Sequence, residues 1–208
     1  MAEDEAKAAL DVPRETIERL EAFVELLRTE NLRQNLVSAS SLDHVWERHI
    51  LDSLQIVRFA PPEASTWLDL GTGAGFPGLI VPLLHPASMV LVESRRLRVE
   101  FLRTAASVLE VTQRVEILCS RLEAVPSRSF DVISARAFAP LPRLLGRAER
   151  FSTSGTVWIL PKGRNAKSEL DAAQSSWQGD FRLEPSLTDA EAQLVVASRV
   201  RHKPRGRR

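Results

Sequence analysis

The first third of the chain has the hydrophobic spacing of amphipathic helices. Within residues 13–31 apolar side chains recur every three or four positions, and the same spacing returns within residues 41–59. The apolar positions are Ile17, Leu20, Phe23, Val24 and Leu27 in the first stretch and Leu42, Val45, Trp46, Ile50, Leu54 and Val57 in the second. Pro61 and Pro62 do not continue a helix. We therefore predict a helical extension over residues 1–64.

Beyond Ser65 the pattern changes to short apolar runs that alternate with helical stretches. The predicted parallel strands are residues 66–70, 89–92, 115–119, 130–134 and 156–160, and the clearest helix is residues 95–109. Such alternation predicts a doubly wound α/β domain with right-handed crossovers. Residues 181–183 and 194–200 are too close in sequence for a crossover, so they should form an antiparallel hairpin. We predict one domain over residues 65–200 and a basic tail over residues 201–208.

A glycine-rich loop follows the first predicted strand. Residues 68–78 read LDLGTGAGFPG, with four glycines in eight residues at Gly71, Gly73, Gly75 and Gly78. Glycine permits positive φ and close approach of the backbone to a ligand, and nucleotides bind at this edge of such sheets. Glu93 ends the next predicted strand, 22 residues after Gly71, where a carboxylate can accept both hydroxyls of a ribose. We predict a cofactor site that contains Gly71, Gly73, Gly75 and Glu93.

Two kinds of cofactor are compatible with this loop. Gly73, Gly75 and Gly78 match the G-x-G-x-x-G pattern of dinucleotide sites, but that match alone is weakly specific. Asp69 would repel a pyrophosphate and attract the ammonium group of an amino acid, and Pro77 lacks a backbone N–H for phosphate. About 140 residues follow the extension, too few for a dehydrogenase's second domain. These features favour S-adenosylmethionine, with Asp69 among its ligands, over a dinucleotide.

The helix expected after the glycine loop contains Pro82, which should kink it or end it early.

Composition narrows the class of protein. No apolar run approaches the roughly 20 residues of a membrane span, and the acidic first residues do not resemble a signal peptide. The single cysteine, Cys119, excludes an internal disulfide and suits a reducing compartment. No cluster of metal-ligating residues stands out. We predict a cytoplasmic monomer without a membrane segment or a bound metal.

Missing motifs restrict the atom that is methylated. A pyrimidine C5 methyltransferase needs a cysteine nucleophile, whereas Cys119 lies in an apolar predicted strand and is expected to be buried. The loop at residues 134–140 reads SARAFAP and lacks the Asn/Asp-Pro-Pro-aromatic motif of exocyclic-amine methyltransferases. Arg136 in that loop suits an electron-rich or anionic target. A ring nitrogen such as guanine N7 loses no proton, so alignment with the methyl donor replaces a catalytic base.

Basic residues are concentrated in two regions. There are seven basic residues and one acid from Arg136 to Lys167, and the last ten residues hold six Arg or Lys and no acid. Such clusters attract RNA phosphates, although an ordinary solvated surface has the same composition. The candidate RNA contacts are Arg136, Arg143, Lys162 and Arg164. Arg136 and Lys162 also follow predicted strands at the edge where active sites gather, so both are candidate cleft residues, although Lys162 is equally compatible with a solvated loop.

Taken in order, these motifs resemble the family of small-subunit ribosomal RNA guanine-N7 methyltransferases, also called glucose-inhibited division protein B. The matching blocks are residues 35–38 (NLVS), 48–54 (RHILDSL), 68–78, 93–94 (ES), 101–102 (FL), 120–123 (SRLE), 134–138 (SARAF) and 161–163 (PKG). They span nearly the whole chain. The glycine loop indicates only the superfamily, whereas RHILDSL together with Arg-Ala-Phe indicates the family. Ala135 is an extra residue before Arg136, and the Arg-rich C terminus is peculiar to this chain.

The resemblance implies a class I methyltransferase fold, S-adenosylmethionine as methyl donor, and a guanine of 16S ribosomal RNA as acceptor, in free RNA or in a precursor of the small subunit. It also implies cofactor contacts at Gly71, Phe76, Leu122, Glu123 and Arg136. Two alternatives stay open. One is a methyltransferase of another RNA site, a small molecule or a protein; the other is an RNA-binding assembly factor without turnover.

Three further residues have competing interpretations. His49 and Asp52 are three residues apart and share a helix face, as in some metal sites, but no further ligand is nearby in sequence. A structural role in holding the extension to the core is favoured. Glu123 follows the third predicted strand, which favours a place at the adenine edge over that of a solvated loop acid.

Overall fold

The computed structural model describes residues 3–204, and these contain one seven-stranded sheet. The strands are β1 (Thr66–Leu70), β2 (Ser88–Glu93), β3 (Val115–Cys119), β4 (Val132–Ala135), β5 (Val157–Gly163), β6 (Trp177–Pro185) and β7 (Gln193–His202). Their order in the sheet is β3-β2-β1-β4-β5-β7-β6. Strands β1 to β5 pair in parallel, and β7 is antiparallel to β5 and β6. The predicted doubly wound sheet with a terminal antiparallel hairpin is confirmed.

Helices cover both faces of this sheet. The α-helices are α1 (Glu3–Ala8), α2 (Arg14–Gln34), α3 (Ala39–Leu42), α4 (Asp52–Leu54), α5 (Arg96–Val108), α6 (Leu141–Ala148) and α7 (Ala166–Gln174). The first predicted helix is α2, which ends where Asn35 adopts a left-handed conformation with a φ of 46°. The helix predicted at residues 95–109 is α5.

Alternate side chains of the central strands enter two separate cores. Trp67 and Leu91 pack in one core with α1, α2 and α5, while Leu68 and Val90 pack in the other with α6 and α7. A strand that is buried on both faces is mostly apolar, which explains the hydrophobic run at residues 89–92 of β2 and the apolar residues that flank Asp69 in β1. The extension shares the first core with the sheet, and the division of the chain at residues 64 and 200 stays a prediction.

The prediction that the second helix of the extension is one continuous α-helix is wrong. Residues 39–59 are divided among α3, a π-helix (Trp46–Leu51), α4 and a 3₁₀-helix (Gln55–Phe59). Ser53 Oγ donates to the carbonyl of His49, a side-chain bond of the kind that competes with regular helix hydrogen bonds. Apolar spacing alone does not separate α from π turns, and π turns occur most often at functional sites.

The helix predicted after the glycine loop is also wrong. Residues 74–80 form successive turns, and a short 3₁₀-helix (Val81–Leu83) follows them. Pro82 lies in this 3₁₀-helix, and its carbonyl accepts from the guanidinium of Arg114. Proline has no N–H for a helix bond, which agrees with the absence of a regular helix here.

The two edges of the sheet differ from the sequence prediction in detail. Strand β3 is an edge strand, and its last residue, Cys119, is exposed instead of buried. The side chains of an edge strand are less covered than those of a central strand, and hydrophobic pattern does not distinguish the two. Next to the other edge strand, β6, strand β7 extends to His202, so the predicted tail begins inside a strand. Residues 205–208 of that tail lie outside the described residues.

Candidate functional site

The glycine loop crosses the carboxyl end of β1 in a conformation that suits glycine. Gly71, Gly73 and Gly75 have φ angles of 67°, 60° and 93°. A Cβ atom on Gly71 would lie 2.6 Å from Cδ2 of Phe138, so this position requires glycine for space as well as for conformation. A Cβ atom on Gly73 would have Arg98 Nη1, at 3.6 Å, as its nearest neighbour. The space beside Gly73 is therefore open to a ligand.

Asp69 lies beneath the loop and not on its surface. The side chain is fully buried, and its two oxygens accept from Ser134 Oγ and Thr72 Oγ1, each at 2.7 Å. Burial raises the pKa of Asp69, whereas these two hydrogen bonds and the charge of Arg136 oppose that rise. The structure leaves Asp69 no exposed surface for the direct cofactor contact predicted from the sequence. Its carboxylate instead ties the loop to β4.

A cavity of about 480 Å³ opens beside the loop, at the carboxyl ends of β2 and β3. Four predicted cofactor residues line it, namely Gly71, Glu93, Leu122 and Glu123. Glu93 is 6% exposed; one of its oxygens accepts from the backbone N–H of Arg95 at 2.8 Å, and the other is 3.7 Å from Arg98 Nη1. The carboxylate is thus held in one orientation at the cavity wall.

The far end of this smaller cavity is formed by the segment after β3. Leu122 is buried, while Glu123 is exposed and its Oε1 lies 3.6 Å from Arg147 Nε on α6. Glu123 thus lies at the rim of the smaller cavity, and its place at the adenine edge stays a prediction. Phe76, by contrast, directs its ring away from this cavity, because the ring is buried against Phe23 and His49.

A second cavity, of about 760 Å³, adjoins the first. Phe138 lines both cavities, so its half-buried ring separates them. The wall of the larger cavity comes from the extension, the loop after β4, the end of β5 and the loop between β6 and β7. The lining residues from these four parts include Arg48, His49, Asp52, Arg136, Lys162 and Asp189.

Arg136 is fixed at the boundary between the domain and the extension. Nη1 donates to Asp52 Oδ2 and to the Arg48 carbonyl, both at 3.2 Å, and Nη2 lies 2.8 Å from His49 Nδ1. Burial lowers the pKa of Arg136, and the adjacent Asp52 carboxylate raises it. An arginine remains charged under either influence, so the larger cavity has a fixed positive charge in its wall.

The other predicted RNA contacts lie in different surroundings. The Lys162 side chain is 7% exposed; its Nζ donates to the Ala139 carbonyl at 2.6 Å and is 3.0 Å from Glu169. Lys162 thus braces the loop after β4 and is not a solvated lysine. Arg143 is exposed on α6, and Arg164 is exposed with an ion pair to Glu191 at 2.8 Å. Neither arginine is among the residues that line the two cavities.

The roles of several residues in the site could not be predicted from the sequence. The sequence indicates Phe138 only as the last residue of the SARAF motif, although its ring separates the cavities. The loop between β6 and β7 had no functional signal, yet Thr188 Oγ1 donates to Asp52 Oδ1 at 3.0 Å and Asp189 lines the larger cavity. Such contacts join residues more than a hundred positions apart, and a single sequence holds no signal for them.

Among residues 3–204 no group of three or more His, Cys, Asp or Glu side chains is arranged to hold a metal ion. The helices within that range include none with the length and apolar character needed to cross a membrane.

Known proteins resemble this chain in sequence and in fold. A family model described as rRNA small subunit methyltransferase G matches residues 16–194. Ribosomal RNA small subunit methyltransferase G of Rhizorhabdus wittichii is 52% identical, with 100% of this chain and 96% of that protein covered. The protein of the same name from Zymomonas mobilis is 45% identical, with coverage of 98% and 96%.

Solved structures support the fold. An O-methyltransferase from Bacillus cereus, in complex with SAH, aligns with a TM-score of 0.63 at 14% identity and covers 94% of this chain and 96% of its own. The ribosomal protein L11 methylase of Lactobacillus delbrueckii gives a TM-score of 0.57 at 19% identity, with coverage of 74% and 77%. These likenesses confirm the class I methyltransferase fold. The family model's match over residues 16–194 and the 52% identity to the Rhizorhabdus wittichii protein establish that the chain belongs to the rRNA small subunit methyltransferase G family.

Proposed function

We propose that this protein transfers a methyl group from S-adenosylmethionine to N7 of a guanine in 16S ribosomal RNA. The observation that carries the proposal is the pair of adjoining cavities, which share Phe138, in a chain of this family. A methyl donor and a methyl acceptor need two sites that meet at one point. The cavities are built at the carboxyl edge of the sheet, where α/β folds bind ligands.

The smaller cavity suits the donor. Glu93 presents a fixed carboxylate that can accept the two ribose hydroxyls, and Leu122 offers an apolar surface for the adenine ring. The positive-φ glycines bring the loop backbone close to the ligand. When bound, S-adenosylmethionine supplies an electrophilic methyl group on sulfonium. Asp69 contributes by holding the loop, through Thr72 and Ser134.

The larger cavity suits the acceptor base. Guanine N7 carries an exposed lone pair and needs no proton removed, so the protein's task is to align that lone pair with the donor methyl. Phe138 at the junction offers an apolar face for a base, and Arg136 supplies a charge next to it. No general base is required, and His49 is a poor candidate for one, because burial and the charges of Arg136 and Arg48 lower its pKa to about 3 and make its ring a weak base.

The surroundings of the cavities suit an RNA substrate. Arg48, Arg143 and Arg147 are exposed on the elements around them, and each can meet a phosphate. We propose that the substrate is 16S RNA, free or within a precursor of the small subunit, that the protein acts as a cytoplasmic monomer, and that no metal takes part. The ribosomal RNA named in the relatives' descriptions supports the choice of substrate.

Methyl transfer followed with isotope-labelled donor tests this proposal. We expect label to accumulate over many turnovers in 16S RNA or in small-subunit particles, at one guanine that becomes sensitive to the cleavage chemistry specific for N7-methylguanine. Label in 23S RNA, in protein or in a small molecule would overturn the substrate assignment. Donor binding without any turnover would identify a non-catalytic RNA-binding factor.

A further inference from the structure

His49 comes from the extension, yet its ring lies in the wall of the larger cavity beside Arg136. The ring stacks on Phe76 of the glycine loop, with centroids 4.8 Å apart and planes inclined by 18°. Arg136 Cζ is 5.3 Å from the centroid of the same Phe76 ring. The extension, the glycine loop and the loop after β4 therefore meet at this histidine.

Hydrogen bonds define the tautomer of His49. A guanidinium only donates, so the 2.8 Å contact from Arg136 Nη2 makes Nδ1 the acceptor and leaves the proton on Nε2. Nε2 lies 3.0 Å from Ser41 Oγ, to which it donates, and Ser41 Oγ donates in turn to the Ser38 carbonyl at 2.9 Å. The donors all point in one direction along this chain, from Arg136 to Ser38.

The surroundings keep the acceptor on Nδ1 available. Burial, Arg136 and Arg48 lower the pKa of His49 to about 3. The ring is therefore neutral near pH 7, and a protonated ring would have no lone pair to offer Arg136. Hydrogen bonds at both ring nitrogens fix the orientation of the ring as well as its tautomer, so that Nδ1 faces Arg136.

Asp52 supplies the second support of the same guanidinium. Its Oδ2 accepts from Arg136 Nη1 at 3.2 Å, and its Oδ1 accepts from Gln55 Nε2 at 2.7 Å and from Thr188 Oγ1 at 3.0 Å. Within residues 3–204, these contacts leave Nε–H and one Nη2–H of Arg136 for a ligand. The extension thus sets the position and the free donors of an arginine that belongs to the methyltransferase domain.

We infer that His49 is a positioning residue for methyl transfer, which holds the Arg136 side chain at the junction of the two cavities through its Nδ1 acceptor. The inference rests on the place proposed above for Arg136 in the reaction cleft. It gives Ser41, His49 and Asp52 of the extension a part in the reaction, in contrast to the purely structural role that the sequence favoured for His49 and Asp52.

Two substitutions of His49 separate positioning from packing. His49→Phe keeps a planar ring on Phe76 but removes the acceptor, and we expect kcat for RNA methylation to fall roughly tenfold to hundredfold. The KM for RNA and the dissociation constant for SAH should change less than threefold. His49→Asn places an amide oxygen near the position of Nδ1, so it should restore most of kcat. The matched control is His44→Phe, the same change at an exposed histidine of the same segment, and it should leave kcat unchanged.

A double-mutant cycle identifies the partner through which His49 acts. In an Arg136→Ala background, His49→Phe should cause no further loss of kcat, because the group that it positions is gone. An equal loss of kcat with and without Arg136 would overturn the inference. So would wild-type kcat in His49→Phe, or a cycle that shows coupling in the free energy of unfolding but none in kcat.

Measuring kcat on more than one RNA distinguishes a failure of this inference from a failure of the proposed function. Total bacterial RNA is offered as acceptor alongside 16S RNA, and kcat is measured on whichever RNA the wild-type enzyme methylates. Methylation of another RNA with the expected cycle would remove the substrate assignment and keep His49 as a positioning residue. If 16S RNA is methylated with a kcat that does not change in His49→Phe, the substrate assignment is kept and the positioning role of His49 is removed. If no RNA is methylated, both proposals fail.

Discussion

Glu93 is the residue at which cofactor binding is most directly testable. Its carboxylate is nearly buried and has one orientation at the wall of the smaller cavity. Glu93→Gln keeps the shape of the side chain but removes the charge from the proposed ribose contact. We expect the affinity for S-adenosylmethionine to fall by about 2–3 kcal/mol, as measured by calorimetry.

The control for this change is Glu116→Gln on the exposed edge strand, where the carboxylate pairs with Arg128. It should bind S-adenosylmethionine as the wild type does. Wild-type affinity in Glu93→Gln would transfer the ribose contact to another residue.

His49 makes the stability of the protein depend on pH. Its folded-state pKa of about 3 is below the ordinary value of 6.5, so the unfolded chain takes up the proton first as the pH falls. The stability contributed by the neutral ring is present above pH 6.5 and is lost as the pH falls towards 3. Between pH 7 and pH 4 this one group should remove about 3 kcal/mol from the free energy of unfolding.

Urea denaturation at a series of pH values checks this expectation. His49→Asn has no titrating ring, so its free energy of unfolding should fall less steeply over the same interval. Parallel curves for the two proteins would show that the ring is protonated in the folded state.

The position of a single residue could be predicted where the groups around it are also its neighbours in sequence. Glu93 and the positive-φ glycines could be found from spacing alone, because strand, loop and ligand are adjacent in sequence. Asp69 could not be placed correctly, since its burial depends on Ser134 from another strand. The sequence did not distinguish a buried Lys162 from a solvated one, because Glu169 and the Ala139 carbonyl become its partners only in the folded chain.

At the scale of the element, we predict that a change at Gly73 alone prevents the whole glycine loop from binding the cofactor. The φ of 60° resists a β-branched side chain, and the added methyl groups would enter the space left open to a ligand. Gly73→Val should remain folded by circular dichroism but lose the rise in melting temperature that S-adenosylmethionine causes. Gly155→Val, in a turn without positive φ, is the matched control and should keep that rise. A normal rise in Gly73→Val would mean that the loop is only a turn.

Elements with strong periodicity were predicted well, and those shaped by distant contacts were not. Helices α2 and α5 and strands β1 and β3 follow their apolar patterns closely. The segment at residues 39–59 has the same apolar spacing, but its π and 3₁₀ turns direct His49 and Asp52 towards Arg136. Their geometry is determined by a partner more than eighty positions away, which no local pattern encodes.

At the scale of the whole molecule, binding to RNA should depend steeply on salt. Each basic side chain that displaces a counterion contributes roughly 0.7–0.9 to the slope of log affinity against log salt. Deleting residues 205–208 removes three arginines, so it should lower this slope by about 2–3 without changing the affinity for free S-adenosylmethionine. A longer deletion would be misleading, because residues up to His202 belong to β7 and Trp177 packs against His202.

The control for this deletion is Arg128→Gln, beside the amino ends of the strands, which should leave the slope unchanged. Equal slopes for the full-length and shortened proteins would mean that residues 205–208 make no contact with RNA phosphates.

The exposed position of Cys119 makes the protein convenient for spectroscopy. It is the one cysteine of the sequence, and in the sheet it is paired with Glu93. A thiol-reactive fluorophore would therefore attach at a single known place next to the proposed ribose contact, with no other thiol to remove beforehand. Its emission would report the arrival and departure of the methyl donor in real time, in the presence of RNA, where calorimetry is difficult.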